Sequence, residues 1–301
     1  MADQSLEKPK VTLHCITYHF ETLTNLTGDT SLVIIATKSD DYNGISRLIT
    51  DKFLPNRLNQ SRSQRIVWLL QECKGIDWDL KIYKRDSDSL APPALKKIHP
   101  LGKSPVISIE TPALAKPLVL AESGTIIEYL CDHFAQHLVP KRYQDGKEGE
   151  VGGETEPWLR FRTYMHYAEG SLMSTLLLAM VIDNIGDNPA TPFFIRPITR
   201  AISSKVYSIF LTNTLKTHFD FLEQQLATSP GDGKYLCGAE LTAADIFMTF
   251  PLVAALNKKK YDAARYPKLS GYTKMMENHE GYKASIKKTE ELTGEKYELL
   301  P

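Results

Sequence analysis

The chain changes its periodicity near residue 141, and no other feature narrows the choice of fold so far. Ahead of that point, short runs of strand formers are interleaved with helical stretches. Beyond residue 157, long apolar segments continue nearly to the end without convincing hairpins. The stretch between contains QDGKEGEVGGETE, rich in glycine and charge and poor in apolar side chains, which is the composition of a linker. At 301 residues the chain has room for two ordinary domains. The expectation is an α+β protein: a disordered start over residues 1–9, a mixed domain over 10–140, a linker over 141–156 and an all-α bundle over 157–301.

Within the first half, Val11, Leu13 and Cys15 alternate with Thr12 and His14 as a strand does, and SQRIVWLLQECK sets Ile66, Leu69, Leu70 and Cys73 at helical spacing, with Gly75 as the stop. Residues 78–84 read as a second strand and 92–99 as a short helix opened by proline. Two strands follow at 105–110 and 116–121. SGTIIEYLCDHF then places Ile126, Ile127, Leu130 and Phe134 on one helical side. The order is β-α-β-α-β-β-α. Residues 16–57 break this pattern, interposing about forty residues where strand-to-helix connections usually take a few. Their SLVIIAT run is the one strand-like piece. In the second half, ELTAADIFM carries a helix start in which Thr242 caps, Asp245 reaches back and Leu241 staples onto Ile246, a structural device.

Composition excludes several classes of function. Lys and Arg (36) balance Asp and Glu (36), so there is no basic field for nucleic acid. No run of eighteen apolar residues suggests a membrane span. The opening MADQSLEKPK lacks a signal-peptide core, and Cys15, Cys73, Cys131 and Cys237 form no CxxC or other metal-ligand pattern. These features point to the cytoplasm, with reduced thiols and no metal or resident cofactor.

GKSPVISIE, residues 102–110, places a proline at the mouth of a strand. Proline offers no N–H to a ladder, so Pro105 belongs at a strand start, an edge or a bulge. Taken together, VTLH, SRSQRIVWLL, IYKRD, APPALKKIHPLGKSPV, LAESGTIIEYL, YAEGSL and LTAADIFMTFPL resemble the fungal glutathione transferases, in particular the Gtt type of yeast. The resemblance implies a thioredoxin-like N-terminal domain and an all-α C-terminal domain. Glutathione, a co-substrate, binds in the first, and an electrophile sits between the two.

The resemblance also implies that Pro105 follows a cis bond, exposing the Ser104 main chain to pair with the glutathione backbone like an added strand. Ser123 is expected as the N-cap of a helix whose start cradles the γ-glutamyl carboxylate, with Glu122 accepting from the ammonium. Lys103 is placed to pair with a glutathione carboxylate. Catalysis needs a thiolate, and a hydroxyl at the start of the first helix would stabilise it. Ser61, four residues before Arg65, is the expected donor and Ser63 the fallback. Cys15 reads as a buried, inert thiol. Tyr164, His166, Tyr167 and Met173 read as core or dimer contacts.

The function so implied is conjugation of glutathione to electrophiles by thiolate attack, with reduction of peroxides as a second use, in a homodimer. Deleting residues 16–57 restores the family's spacing, so the segment reads as translated intron or as a genuine surface loop. A glutathione-binding regulator, or a pseudoenzyme whose site this insertion disrupts, is the alternative on the same fold.

Overall fold

The computed structural model describes residues 8–17, 62–84, 92–294 and 296–297. Residues 1–7, and all of the expected insertion beyond Thr17 including SLVIIAT, lie outside the described residues. Strand β1 (Lys10–Thr17) is longer than expected at its end, because Ile16 and Thr17 continue the parallel pairing with Tyr83 and Lys84 of β2 (Asp77–Lys84). Helix α1 (Ser63–Glu72) lies between these strands in the sequence. Strand β3 (Val106–Glu110) runs antiparallel to β1, and β4 (Leu118–Ala121) antiparallel to β3, giving the sheet order β2-β1-β3-β4. The predicted short helix is a 3-10 turn over Pro93–Lys97.

Register explains the core. Val11 pairs with Ile109, and Leu13 with both Leu80 and Ile107. Alternate residues of a strand share one face. All of these are buried there in one cluster with Ile66, Leu69 and Leu70 of α1 and Ile126, Ile127 and Leu130 of α2 (Ser123–Phe134). A parallel pair extended by an antiparallel hairpin, with helices packed on the sheet, is a thioredoxin-like arrangement.

The second half is helical: α3 (Glu156–Tyr167), α4 (Ser174–Asp187), α5 (Arg196–Val206), α6 (Thr212–Ala227), α7 (Ala243–Asn257), α8 (Pro267–Asn278) and α9 (Glu280–Thr293). A π-helical turn, Ala168–Met173, joins α3 to α4, and another, Tyr207–Leu211, joins α5 to α6. The continuous run Glu156–Asp187 is long and apolar enough by composition to cross a membrane, although no unbroken apolar stretch announced it. Its inward stripe, including Phe161, Tyr164, Leu172 and Leu176, is part of the bundle core. The expected linker is folded. Tyr143 bridges to Glu154, and Thr155 N–H donates to the Arg142 carbonyl at 2.8 Å.

The predicted start of α7 is present. Asp245, fully buried, accepts from the Thr242 N–H (2.9 Å) and hydroxyl (2.6 Å), the Leu236 N–H (2.9 Å) and the Tyr272 hydroxyl (2.7 Å). Burial pushes its carboxyl upward in pKa while these four donors pull it down.

Helix α1 departs from a one-sided amphipathic reading, since every residue from Ser63 to Leu70 is buried. One side meets the sheet and the other meets α7 and α9. Gln64 Nε2 donates to Ser285 Oγ at 2.8 Å, and the Trp68 ring packs on His279 and Tyr282. Gly281 makes this approach possible, because a Cβ there would sit 2.1 Å from Trp68 Nε1. Helix α1 therefore ties the sheet to the helical half, and its first turn opens onto the space between them.

Candidate functional site

A cleft of about 370 Å³ lies at that junction. The turn before β3 contributes Lys103, Ser104 and Pro105, the start of α2 contributes Glu122 and Ser123, and Arg62 projects from the start of α1. The far wall is made by Met165 and His166 of α3, Glu169 of the π-helical turn and Phe247 of α7. All five residues expected to hold glutathione thus border one cleft, although they come from two separate stretches of sequence.

The Ser104–Pro105 bond is cis, as expected. Pairing of β3 begins at Val106, so the N–H and C=O of Ser104 lie outside the ladder and beside the cleft. The Ser104 hydroxyl turns the other way and donates to the His14 carbonyl at 3.0 Å. Since that proton is committed, the Ser63 hydroxyl 2.8 Å away donates to Ser104 Oγ. This bond fastens the proline turn to the first turn of α1.

The expectation for Ser123 needs correction. It is the first helical residue, and Glu122 occupies the N-cap position with φ 69° and no capping side-chain bond. Positive φ is uncommon for a residue with a Cβ and stores strain. It lets the chain pass from the end of β4 at Ala121 directly into α2, with no position left for a serine cap. The first intrahelical bond runs from Ile126 N–H to the Glu122 carbonyl at 2.9 Å, so the N–H groups of residues 123–125 have no acceptor within the helix. These donors, with the positive end of the helix, stand at the cleft wall.

Of the two serines expected near the sulfur, Ser61 lies outside the described residues. Ser63 is 2% exposed, does not border the cleft and acts as the brace just described. Cys15 is buried against Ser63, and burial pushes its thiol up to about 12, as befits an inert thiol. Tyr164 and Tyr167 belong to the core: the Tyr164 hydroxyl donates to Gln225 Oε1 at 3.3 Å, and Tyr167 OH lies 2.7 Å from His218 Nδ1. Met173 is buried as well, and His166 alone of these four borders the cleft.

The comparisons with known proteins follow the same division of the chain. Residues 61–133 match the model described as the glutathione S-transferase N-terminal domain, and residues 196–289 match the C-terminal domain of the same family. Glutathione S-transferase 1 of Saccharomyces cerevisiae is 33% identical over 235 residues, covering 78% of this chain and 94% of the yeast protein. The chain belongs to the glutathione S-transferase family. Glutathione S-transferase 3 of Schizosaccharomyces pombe is also 33% identical, over 210 residues, covering 68% of this chain and 77% of the relative. Among solved structures, a glutathione S-transferase from Actinobacillus pleuropneumoniae is 26% identical with a TM-score of 0.54, covering 93% of each chain. A glutathione transferase homologue from Sulfitobacter, solved with bound glutathione, shares the fold at 18% identity and a TM-score of 0.51, over 77% of this chain and 95% of its own.

In this glutathione transferase, sequence reasoning missed an ion cluster behind the cleft. Arg65 is wholly buried, and its Nη2 pairs with Glu169. The guanidinium stacks on Phe247 (4.5 Å to the ring centre) and Phe250 (5.1 Å). Arg65 Nη1 also donates to the Phe247 carbonyl at 3.1 Å. That carbonyl is free because Pro251, four residues on, has no N–H to return. Burial pulls the Arg65 guanidinium down to about 10, with Glu169 opposing the shift. Pro251 inside a long apolar segment was a readable sign that a carbonyl of that helix needs an outside donor. Glu169 lies within the YAEGSL motif, but no local pattern joined it to the arginines.

Proposed function

We propose that this chain binds glutathione in the cleft and that the glutathione sulfur, as thiolate, attacks an electrophilic carbon. The observation that carries this reading is the meeting of Lys103, Ser104, Pro105, Glu122 and Ser123 around the cis turn. The main chain of Ser104 pairs with the cysteinyl backbone as one more strand. The N–H groups at the start of α2 hold the γ-glutamyl carboxylate, Glu122 accepts from its ammonium, and Lys103 pairs with the remaining carboxylate. This directs the sulfur toward the start of α1, where Ser63 steadies the turn; the Ser61 hydroxyl is the donor proposed for it. The thiol gives its proton to solvent, sulfur's electron pair forms the new S–C bond, and the leaving group departs with the pair it shared.

The second substrate, the electrophile, lies over Met165, His166 and Phe247. Incubation with glutathione and 1-chloro-2,4-dinitrobenzene, alongside retention on immobilised glutathione, tests the reading. Turnover and retention are both expected. Retention without turnover would replace the transferase with a glutathione-binding regulator, and loss of both would leave the reading without support.

The finer assignments belong to the same proposal. The two domains meet through residues 141–156. The chain acts as a homodimer, for which the apolar side chains left exposed on α4 and α5, such as Val181, Ile198 and Ile202, offer a surface. Light scattering should return twice the mass of the chain. Four free cysteines suit a reducing compartment, the cytoplasm. Fractionation of cells expressing the tagged protein checks that placement.

A further inference from the structure

Three charged side chains, two from the start of α1 and one from the π-helical turn, meet at the edge of the cleft nearest the start of α1. Arg65 and Arg62 both pair with Glu169, the second through its Nε at 3.2 Å from Glu169 Oε2. Two cations and one anion leave a surplus of one positive charge. The surplus does not rest on Arg65, which is completely buried and committed to Glu169, the Phe247 carbonyl and two aromatic rings. It rests on Arg62, whose side chain is one-third exposed and borders the cleft. The bond to Glu169 is poorly aimed, since Arg62 Nε is buried with no properly directed hydrogen-bond acceptor.

Among the described residues, the other charges around the cleft have counterparts. Glu128 of α2 is paired with Arg162 at 2.7 Å. On the assignments under Proposed function, on which this inference rests, Glu122 takes the ligand's ammonium, while Lys103 and the start of α2 take its two carboxylates. His166, from α3, is the remaining titratable group at the wall. The one ligand charge then without a counterpart is the sulfur, and among the described residues the surplus charge in the wall is that of Arg62.

We propose that the Arg62 guanidinium, oriented by Glu169, faces the glutathione sulfur and stabilises it as the thiolate. Arg62 is then a catalytic residue that touches the reacting atom, whereas Glu169 and Arg65 are positioning residues. Guanidinium suits the task because it stays charged across the working pH range, and because its planar fork can keep one edge on a carboxylate while presenting another to sulfur. The S–H bond breaks with its proton leaving to solvent and its electron pair staying on sulfur. No oxidant or further reactant is required.

The test is the ionisation of bound glutathione, followed by thiolate absorbance near 240 nm against pH, in the wild type, Arg62→Ala and Arg62→Lys. An opposite charge close to an acid lowers its pKa by roughly one to three units. Arg62→Ala should therefore raise the bound thiol's pKa by about one to two units and lower kcat/KM about ten- to a hundredfold at pH 6.5. The deficit should shrink as pH passes the new value, and Arg62→Lys should recover most of the shift. If Arg62→Ala binds glutathione and leaves the thiol's pKa unchanged, the proposal is overturned. A rise in KM for glutathione with kcat and the pH profile intact also overturns it, by making Arg62 a carboxylate partner. A wild type that binds no glutathione fails earlier, and takes the reading of the cleft down with it.

Discussion

Glu122 holds a backbone conformation that residues with a Cβ rarely adopt, and it does so in the wall of the cleft. Such strain costs on the order of 1–3 kcal/mol and persists where the surroundings or the function require it. Glu122→Gly should relieve it and raise stability by up to about 1 kcal/mol, after the larger chain entropy of glycine is subtracted. It should weaken glutathione binding at the same time, because the carboxylate is gone. Glu122→Ala should weaken binding without the gain in stability. Urea midpoints and glutathione titrations on the two variants separate these effects. Cys15 makes a second residue-scale prediction. Burial lifts its thiol from 9.0 to about 12, so the folded chain keeps a proton that the unfolded chain surrenders from about pH 9 upward. The stabilisation is whole below pH 9 and drains away between pH 9 and 12. Cys15→Ala should therefore lose stability less steeply over that window, as read from urea midpoints at pH 8 to 11.

At the scale of elements, the strand and helix order of the first half could be read from periodicity, as could the capped start of α7, because those signals are local. The π-helical turn over Ala168–Met173 could not, and it is this turn that carries Glu169 to the two arginines. Nor could the full burial of α1, since a single sequence shows which face is apolar but not that its polar residues will find Ser285, Glu169 and Ser104 as partners. The dependence of Arg65 on Pro251 can be measured directly. Pro251→Ala restores an N–H to the Phe247 carbonyl and so competes with the guanidinium. A double-mutant cycle with Arg65→Met should show a coupling of about 0.5–1.5 kcal/mol, the range of one net hydrogen bond. Additive single effects would mean that the carbonyl and the guanidinium act independently.

At the scale of the molecule, the sheet and the bundle share one core through α1 and α7, and the cleft opens where they meet. The segment that most disturbs the chain's pattern enters between β1 and α1, immediately ahead of Arg62. Since β1 runs to Thr17, a deletion that respects the strand removes residues 18–57 rather than 16–57. The shortened protein should bind immobilised glutathione and turn over 1-chloro-2,4-dinitrobenzene at least as fast as the full chain. Turnover lost on deletion, with the fold retained by circular dichroism, would show that the segment contributes to the site.

Periodicity was enough for the element order and the two-part architecture, and the resemblance carried by short motifs such as GKSPV and ESG implied the family and five residues that border one cleft, because each is a short-range pattern. What folding alone decided was which polar groups of distant segments would be forced to answer one another. Arg65 lies 104 residues from Glu169 and 182 from Phe247, and no local rule joins them. Burial made that choice: a guanidinium taken out of water must find an anion and an acceptor, and the packed bundle offered Glu169 and the carbonyl that Pro251 left open.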